Sequence, residues 1–196
     1  MKSYFYVLYP SNEAVKILLD AIRIFAAEKQ RRQVHITVRG PYKRKLNFGF
    51  INSCASIIKR ERIKITGVGN FFKSDQNTVF FQCSDNPNLK KIWNKTTYPN
   101  FNPHITVYDG NDASYAQQIY EKLQQNFNPF EFIVEKLSLL DPIINNTFEK
   151  LENVNFDEIS NILGYPIELS DIKKMSQNER LKCISIFCSI LYKTGE

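Results

Sequence analysis

The chain has 196 residues, of which 43% are hydrophobic and 13% aromatic, which is enough apolar material for one domain of ordinary size and argues against a disordered chain. No stretch approaches the roughly 20 apolar residues that span a bilayer, and the apolar run at the N-terminus is too short for a signal peptide. The formal net charge of +6 suits an anionic ligand, although many lysine-rich surfaces are simply solvated.

Strand and helix signals alternate through the first three quarters of the chain. Ser11 is the expected N-cap of the first helix, and Gly40-Pro41 is expected to end the second strand. The elements follow in the order strand 3–9, helix 12–29, a strand that begins at His35, helix 50–60, strands 63–67 and 78–83, a helix from the Asn86-Pro87 cap to about residue 95, a strand that begins at His104, helix 113–126 and strand 130–140.

The last fifty residues are expected to be helical. Gly164 is placed to end one helix, and Ser176 with Glu179 forms a capping box that opens the final one. We therefore expect a domain over 1–144 and a helical extension over 145–196 that packs on it. The sequence leaves the oligomeric state open and favours a monomer. The alternative is that the extension is a dimerisation or partner-binding element.

The two histidines of the chain lie in one repeated tetrapeptide, His-Ile-Thr-Val, which begins at His35 and again at His104. Residues i and i+2 of a strand share a face. His35 therefore points with Thr37, and His104 points with Thr106, while the isoleucines and valines point into a core. Histidine exchanges protons near neutral pH, so two such strands would bring a general base, a general acid and two hydroxyl donors to one anionic centre.

A single histidine in a strand is more often structural than catalytic. The duplication favours a catalytic role over a structural one. The sequence shows no other clear self-similarity, so a repeat restricted to the histidine strands indicates a shared function. We therefore predict a paired active site suited to phosphodiester chemistry.

The two tetrapeptides resemble the signature of the two-histidine phosphoesterases, a family that includes RNA 2′,3′-cyclic phosphodiesterases and 2′-5′ RNA ligases. The family signature is a pair of H-x-[ST]-x motifs, and the resemblance runs from the first strand to about Pro142. It implies a bilobal α+β fold, with two antiparallel-sheet lobes and flanking helices around a central cleft. It also implies a phosphodiesterase that opens 2′,3′-cyclic phosphates.

In that chemistry one neutral histidine takes a proton from the attacking water or hydroxyl, and the other, protonated, donates to the leaving ribose oxygen. Thr37 and Thr106 would bond the non-bridging oxygens. Neither a metal nor a cofactor is expected. The near-equivalence of the two motifs leaves open which of His35 and His104 is the base, and whether the enzyme hydrolyses or ligates.

Three residues near the motifs are candidates for substrate binding. By strand alternation, Arg39 lies on the face of Thr37 and could hold a phosphate, while Tyr108 lies on the face of Thr106 and could bond to or stack on a base. Tyr42, in the basic segment after the first motif, is the third. Many relatives carry a cation after the second motif, where this chain has Tyr108. The alternative is that these residues only lead the strands toward solvent.

Four aromatic residues near strand ends, Phe71, Phe72, Tyr98 and Phe101, could stack on bases but could equally belong to the core. The four cysteines form no CxxC pair, which predicts reduced thiols in a cytoplasmic protein without a zinc site. The substrate stays open among RNA cyclic phosphate ends, 2′-5′-linked oligoadenylates and cyclic nucleotides. A binding module that recognises nucleotides or RNA without turnover is the alternative from another class.

Overall fold

The computed structural model describes residues 3–26, 33–73, 76–140 and 154–194. It shows the predicted α+β class, with one antiparallel sheet of seven strands and helices against it. The predicted domain boundary at 144/145 and the end of the first predicted helix lie outside the described residues.

The elements, in chain order, are β1 (Tyr4–Leu8), α1 (Glu13–Ala26), β2 (Ile36–Tyr42), α2 (Phe48–Ile57), β3 (Glu61–Phe72), β4 (Asn77–Cys83), α3 (Pro87–Ile92), β5 (His104–Gly110), α4 (Ala113–Asn126), β6 (Phe130–Val134), β7 (Leu137–Leu140), α5 (Phe156–Leu163), α6 (Leu169–Lys174) and α7 (Gln177–Ile190), followed by a short 3₁₀ turn over Leu191–Thr194.

The two histidine motifs meet at the centre of the sheet. The strand order is β6-β3-β4-β5-β2-β1-β7, so β5 and β2 are antiparallel neighbours, with Ile36 opposite Ile105. We call β2-β1-β7 the His35 half of the sheet and β6-β3-β4-β5 the His104 half. The two predicted lobes are thus the two halves of one continuous sheet.

The strand expected over 130–140 is two strands at opposite edges of the sheet. β6 pairs with β3, whereas β7 pairs with β1. Only Glu135 and Lys136 separate them. Because consecutive Cα atoms are 3.8 Å apart, Val134 and Leu137 lie within about 11 Å of each other. The sheet must therefore curl until its two edges approach, which makes it a half-barrel.

The hairpin of β3 and β4 is longer than the sequence pattern predicted. Phe71 and Phe72 were expected in a loop, but they pair with Thr78 and Asn77 in the ladder. Aromatic side chains favour extended backbone when they have cross-strand neighbours, and the partner strand supplies them here. Phe71 and Phe72 therefore belong to β3, near the tip of the hairpin.

Several helix boundaries differ from the predicted ones. Asn12, not Ser11, caps α1, because its side chain accepts from the Val15 N–H at 3.1 Å. Ser11 instead bonds the Ile133 carbonyl through both its hydroxyl and its N–H. Asn47 caps α2, which begins two residues earlier than predicted, and α3 ends at Ile92, before an extended Trp93.

The C-terminal helices pack on the helices that cover the sheet. α7 contacts both α1 and α4, and Phe187 lies 5.4 Å, ring to ring, from Phe25 of α1. Ser176 and Glu179 form the predicted capping box, and Gly164 ends α5 in the left-handed conformation (φ 78°). Within the described ranges, no helix has the length and hydropathy needed to cross a membrane.

Candidate active site

The register of the central strands brings the four motif residues together. Antiparallel pairing with Ile36 opposite Ile105 places Thr37 opposite His104, and His35 opposite Thr106. Directly opposed residues have Cβ atoms about 4.5–5.5 Å apart, and diagonal neighbours such as the two histidines lie roughly 7–8 Å apart. All four side chains are half-buried, while the isoleucines between them are fully buried. We call this side of β2 and β5 the histidine face.

Both imidazole rings are held by the same local bond. Nδ1 of His35 lies 2.7 Å from the Gln33 carbonyl, and Nδ1 of His104 lies 2.8 Å from the Asn102 carbonyl. A carbonyl oxygen only accepts, so Nδ1 carries a proton in each ring. Nε2 is then the nitrogen that changes protonation, and the two half-sites share this orientation.

The surroundings of the two rings differ. The Phe80 ring lies 4.7 Å from the His104 ring and the Phe71 ring 5.7 Å from it, centroid to centroid. Burial lowers the pKa of His104 below its ordinary value near 6.5, and the bond to Asn102 only partly opposes this. The Tyr9 ring lies edge-on to the His35 ring, 6.1 Å away between centroids.

Gly69 makes room for the aromatic packing at His104. It pairs with Phe80 across β3 and β4, and a Cβ at position 69 would collide with the Phe80 ring. Glycine at this position therefore lets Phe80 lie across β3 beside the imidazole. The Gly67-Val68-Gly69 segment thus serves packing in the hairpin.

A buried aspartate and a buried arginine on one turn of α1 form hydrogen bonds to the backbone of both motifs. The Asp20 carboxylate accepts from the Val34 N–H at 2.9 Å, just before His35, and the Arg23 guanidinium donates to the Thr106 carbonyl at 3.0 Å. Both side chains are less than 9% exposed. Burial raises the pKa of Asp20 to about 6. The sequence analysis missed them, although a charged pair three residues apart within an apolar helix face was a signal for such a role.

Arg39 and Tyr42 lie together at the far end of β2. The Arg39 guanidinium donates to the Ile92 carbonyl at 2.6 Å and to the Tyr42 hydroxyl at 3.2 Å, and its Cζ lies 4.8 Å from the centre of the Phe50 ring. Two of its five N–H donors are used in these bonds. Arg39 is half-buried, like Thr37, but it pairs with Tyr6 while Thr37 pairs with Val7, so an irregularity in the β1–β2 register separates Arg39 from the motif, as one does for Tyr108.

Tyr108 is not on the histidine face, where the sequence pattern placed it. Thr106 pairs with Phe80 but Tyr108 pairs with Val79, so an irregularity in the β4–β5 register interrupts the alternation. Tyr108 is 2% exposed and packs edge-on against Tyr115 at 5.8 Å. A side chain this buried cannot stack on a substrate base, and the prediction of its position was wrong.

The other aromatic candidates divide between core and surface. Tyr98 and Phe101 pack on Trp93, with ring centroids 5.6 and 5.2 Å away, so they support the segment before β5. Phe71 and Phe72 are about 40% exposed. Of the four, only Phe71 contacts a motif histidine among the ring pairs of the described residues.

The cysteines form no site. All four are buried and free, and burial raises the pKa of each thiol. Within the described part of the chain, no group of three or more histidine, cysteine, aspartate and glutamate side chains is placed to hold a metal ion.

The family comparison covers both motifs. A family model described as the 2′-5′ RNA ligase superfamily matches residues 10–142, about two thirds of the chain. No curated protein gives a significant match to the sequence. The match includes β2, β5 and the strands between them, and the helices after residue 153 lie beyond it. The chain therefore belongs to the 2′-5′ RNA ligase superfamily, within the two-histidine phosphoesterases.

Proposed function

We propose that this protein is a metal-independent phosphodiesterase that opens 2′,3′-cyclic phosphates on RNA ends or nucleotides. Family membership supports chemistry at phosphodiester bonds in general. The observation that carries the narrower proposal is the pairing of β2 with β5, which sets two histidines and two threonines on one face, each histidine opposite a threonine. As diagonal neighbours, the two histidines occupy strand positions roughly 7–8 Å apart, and imidazole rings that extend from such positions can both reach one phosphate.

His104 is the general base in this proposal. Its pKa is lowered by burial against Phe80, so the ring is neutral near pH 7 and Nε2 accepts the proton of the attacking water. The water oxygen forms a bond to phosphorus, and the bond from phosphorus to one ribose oxygen breaks. His35, protonated, donates its Nε2 proton to that oxygen. The product is a ribose phosphomonoester with a free neighbouring hydroxyl.

The threonine hydroxyls stabilise the negative charge on the phosphate in this proposal. Thr37 and Thr106 would each donate to a non-bridging oxygen, whose charge grows as the fifth bond to phosphorus forms. Arg39, farther along β2, would attract the phosphate of an adjacent nucleotide through its remaining donors. No step of this scheme requires a metal ion.

Other substrates present the same reacting group. Hydrolysis of 2′-5′-linked oligoadenylates or of cyclic nucleotides would use the same two histidines, and joining of a cyclic phosphate end to a 5′-hydroxyl would replace water with that hydroxyl. A nucleotide- or RNA-binding module without turnover is the candidate from another class. Both threonines and both ring orientations are intact, which favours turnover over simple binding.

A substrate panel tests the proposal. The protein is incubated in EDTA with an RNA fragment that ends in a 2′,3′-cyclic phosphate, and in parallel with 2′-5′-linked oligoadenylate and with a 3′,5′-cyclic nucleotide. We expect ring opening of the cyclic end, unaffected by EDTA. Turnover that stops in EDTA and returns with Mg²⁺ or Mn²⁺ would refute the metal-independent mechanism, and tight binding without turnover of any substrate would favour the binding module.

A further inference from the structure

One segment of the chain accounts for its net positive charge. Residues 33–60 contain six lysines and arginines and no aspartate or glutamate, while the rest of the chain holds 20 of each sign. The whole net charge of +6 therefore corresponds to this segment, which includes the first histidine motif. Such a local excess is the electrostatic pattern of a surface that contacts a polyanion.

Three of these cations form an exposed, anchored loop directly after β2. Lys43, Arg44 and Lys45 are all exposed, and no ion pair involves them within the described residues. The loop is held at its end, because the Leu46 N–H donates to the buried Tyr6 hydroxyl at 2.8 Å. The three cationic side chains are thus exposed on a loop anchored at its end, with the Lys45 Nζ 5.8 Å from the centre of the Tyr4 ring.

An aromatic side chain follows the loop at the start of α2. Phe48 is 77% exposed, the largest fraction among the exposed large hydrophobic side chains of the described residues. Phe50, two residues along, packs against the Arg39 guanidinium. This contact and the bond from Arg39 to the Ile92 carbonyl place the beginning of α2 beside the C-terminal half of β2, the strand that carries Thr37.

We infer that the loop 43–45 and Phe48 form a binding surface for single-stranded RNA upstream of the reacting phosphate. This inference rests on the proposed function, because it assumes that the reacting end lies between His35 and His104. β2 then leads from that end to the loop. β2 ends at Tyr42 and its register with β1 is irregular, so the chain from Thr37 to Lys43 spans at most about 20 Å at 3.3 Å per residue. That length accommodates up to about six nucleotides at a stacked spacing of 3.4 Å.

The chemistry of this surface fits a single strand. Lysines and arginines that follow the backbone, combined with an exposed aromatic ring on which a base can stack, are the features that bind single-stranded nucleic acid without sequence preference. The preferred substrate class is therefore an oligonucleotide of several residues with a reacting 3′ end, rather than a mononucleotide.

The experiment measures binding without turnover, so that it is independent of the proposed reaction. Fluorescence anisotropy gives the Kd of a 2′-O-methylated octanucleotide and of the matching dinucleotide over a series of salt concentrations. We expect the octamer to bind more tightly, with a Kd that rises steeply with salt. Lys43→Ala/Arg44→Ala/Lys45→Ala should reduce the log–log salt slope by about two, since single strands give about 0.7 per phosphate contact.

Phe48→Ala should weaken octamer binding by at least about fivefold with an unchanged salt slope, because it removes stacking and no charge. Matched controls are Lys173→Ala/Lys174→Ala/Lys182→Ala, which removes three exposed charges from α6 and α7, and Tyr192→Ala, which removes another exposed aromatic ring. Both controls should bind the octamer as the unmodified chain does, and circular dichroism confirms that every variant is folded.

Three outcomes would overturn the inference. The loop variant could keep the full salt slope, the control variant could lose as much affinity as the loop variant, or the loop variant could lose binding to anionic phosphatidylserine vesicles while octamer binding is unchanged. The last result would identify the surface as a membrane contact. Failure of cyclic phosphate opening with intact octamer binding would reject the proposed reaction and leave this surface standing.

Discussion

The two halves of the sheet carry the same tetrapeptide and the same Nδ1-to-carbonyl bond, yet they place their histidines in different environments. In the His104 half, Phe80 and Phe71 cover the ring and lower its pKa. In the His35 half, the Tyr9 ring lies edge-on to the imidazole at 6.1 Å, and Asp20 holds the backbone before the motif. Identical motifs can therefore take different acid–base roles when their neighbours differ.

Helix α1 connects the two halves. Its Asp20 contacts the backbone before His35, and its Arg23 contacts the backbone of Thr106, so one helical turn positions both motifs. The difference between the halves thus lies mainly in what covers each ring, while the backbone of both is held from the same side. Four experiments separate these contributions.

The largest effect should come from removing either histidine. We expect His35→Ala and His104→Ala each to lower the rate of cyclic phosphate opening by about 10²–10⁴, since each removes one proton-transfer group. The double variant should be little worse than either single one, because base and acid act as a unit. A folded single variant that retains near-normal turnover would break the paired mechanism.

Removing either threonine hydroxyl should lower the rate by less than removing a histidine does. Thr37→Val and Thr106→Val keep the β-branched shape that the strands favour and should lower the rate by about 10–10³. Turnover and melting temperature are measured on the same preparations. If either variant melted much earlier but reacted normally, that threonine would have only a structural role, and the two halves would differ in function as well as in environment.

The assignment of His104 as the general base can be tested by substituting Phe80, whose ring packs against the imidazole. Phe80→Leu opens the ring to water, so the pKa of His104 should rise toward its ordinary value. A base must be neutral to act, so the acidic limb of the pH–rate profile should move to higher pH. Since the chain has two histidines, NMR titration of the imidazole signals can follow both directly.

Two results would weigh against this assignment. The limb could stay in place while the His104 signals shift, which would make His35 the base. Alternatively, the His35 signals could shift as much as those of His104, which would mean that the substitution disturbs the whole face. Phe71→Leu, in the other ring that contacts His104, is the companion variant and should move the limb in the same direction.

The smallest effect concerns stability rather than rate. Asp20 has a pKa of about 6 in the folded chain against 3.8 ordinarily, so the folded state binds its proton more tightly. The stabilisation from that proton is full below about pH 4 and is lost as the pH rises through 6, a change of up to about 3 kcal/mol.

Asp20→Asn keeps an oxygen acceptor for the Val34 N–H and does not titrate, so this fall in stability should disappear. The free energy of unfolding from urea denaturation at pH 4, 5, 6 and 7 measures it. The exposed Asp157→Asn should leave the fall unchanged. Parallel curves for Asp20→Asn and the unmodified chain would show that Asp20 is not the titrating group.

The sequence predicted the elements that depend on local chemistry. The repeated histidine tetrapeptide identified the central strands, the Asn86-Pro87 signal and the Ser176–Glu179 capping box identified helix starts, and the family resemblance is confirmed by the match over residues 10–142. The roles of His35, Thr37, His104 and Thr106 remain predictions.

What the sequence did not predict depends on pairing between distant segments. The position of Tyr108 changed because an irregularity in the β4–β5 register turned it into the core, and no local pattern reports a register. The split of 130–140 into two strands likewise depends on which neighbours each end meets. Asp20 was missed because its partner, the Val34 N–H, is 14 residues away along the chain.

The two-residue link of Glu135 and Lys136 between the sheet edges also sets a mechanical condition for the enzyme. Because this link joins the two edge strands, it limits how far the sheet can flatten. The distance between the central histidine strands and the edge strands depends on the same curvature. Inserting residues into the link would let the half-barrel flatten without altering any side chain near the histidines. We therefore expect the length of this link to affect the size of the ligand that the sheet admits.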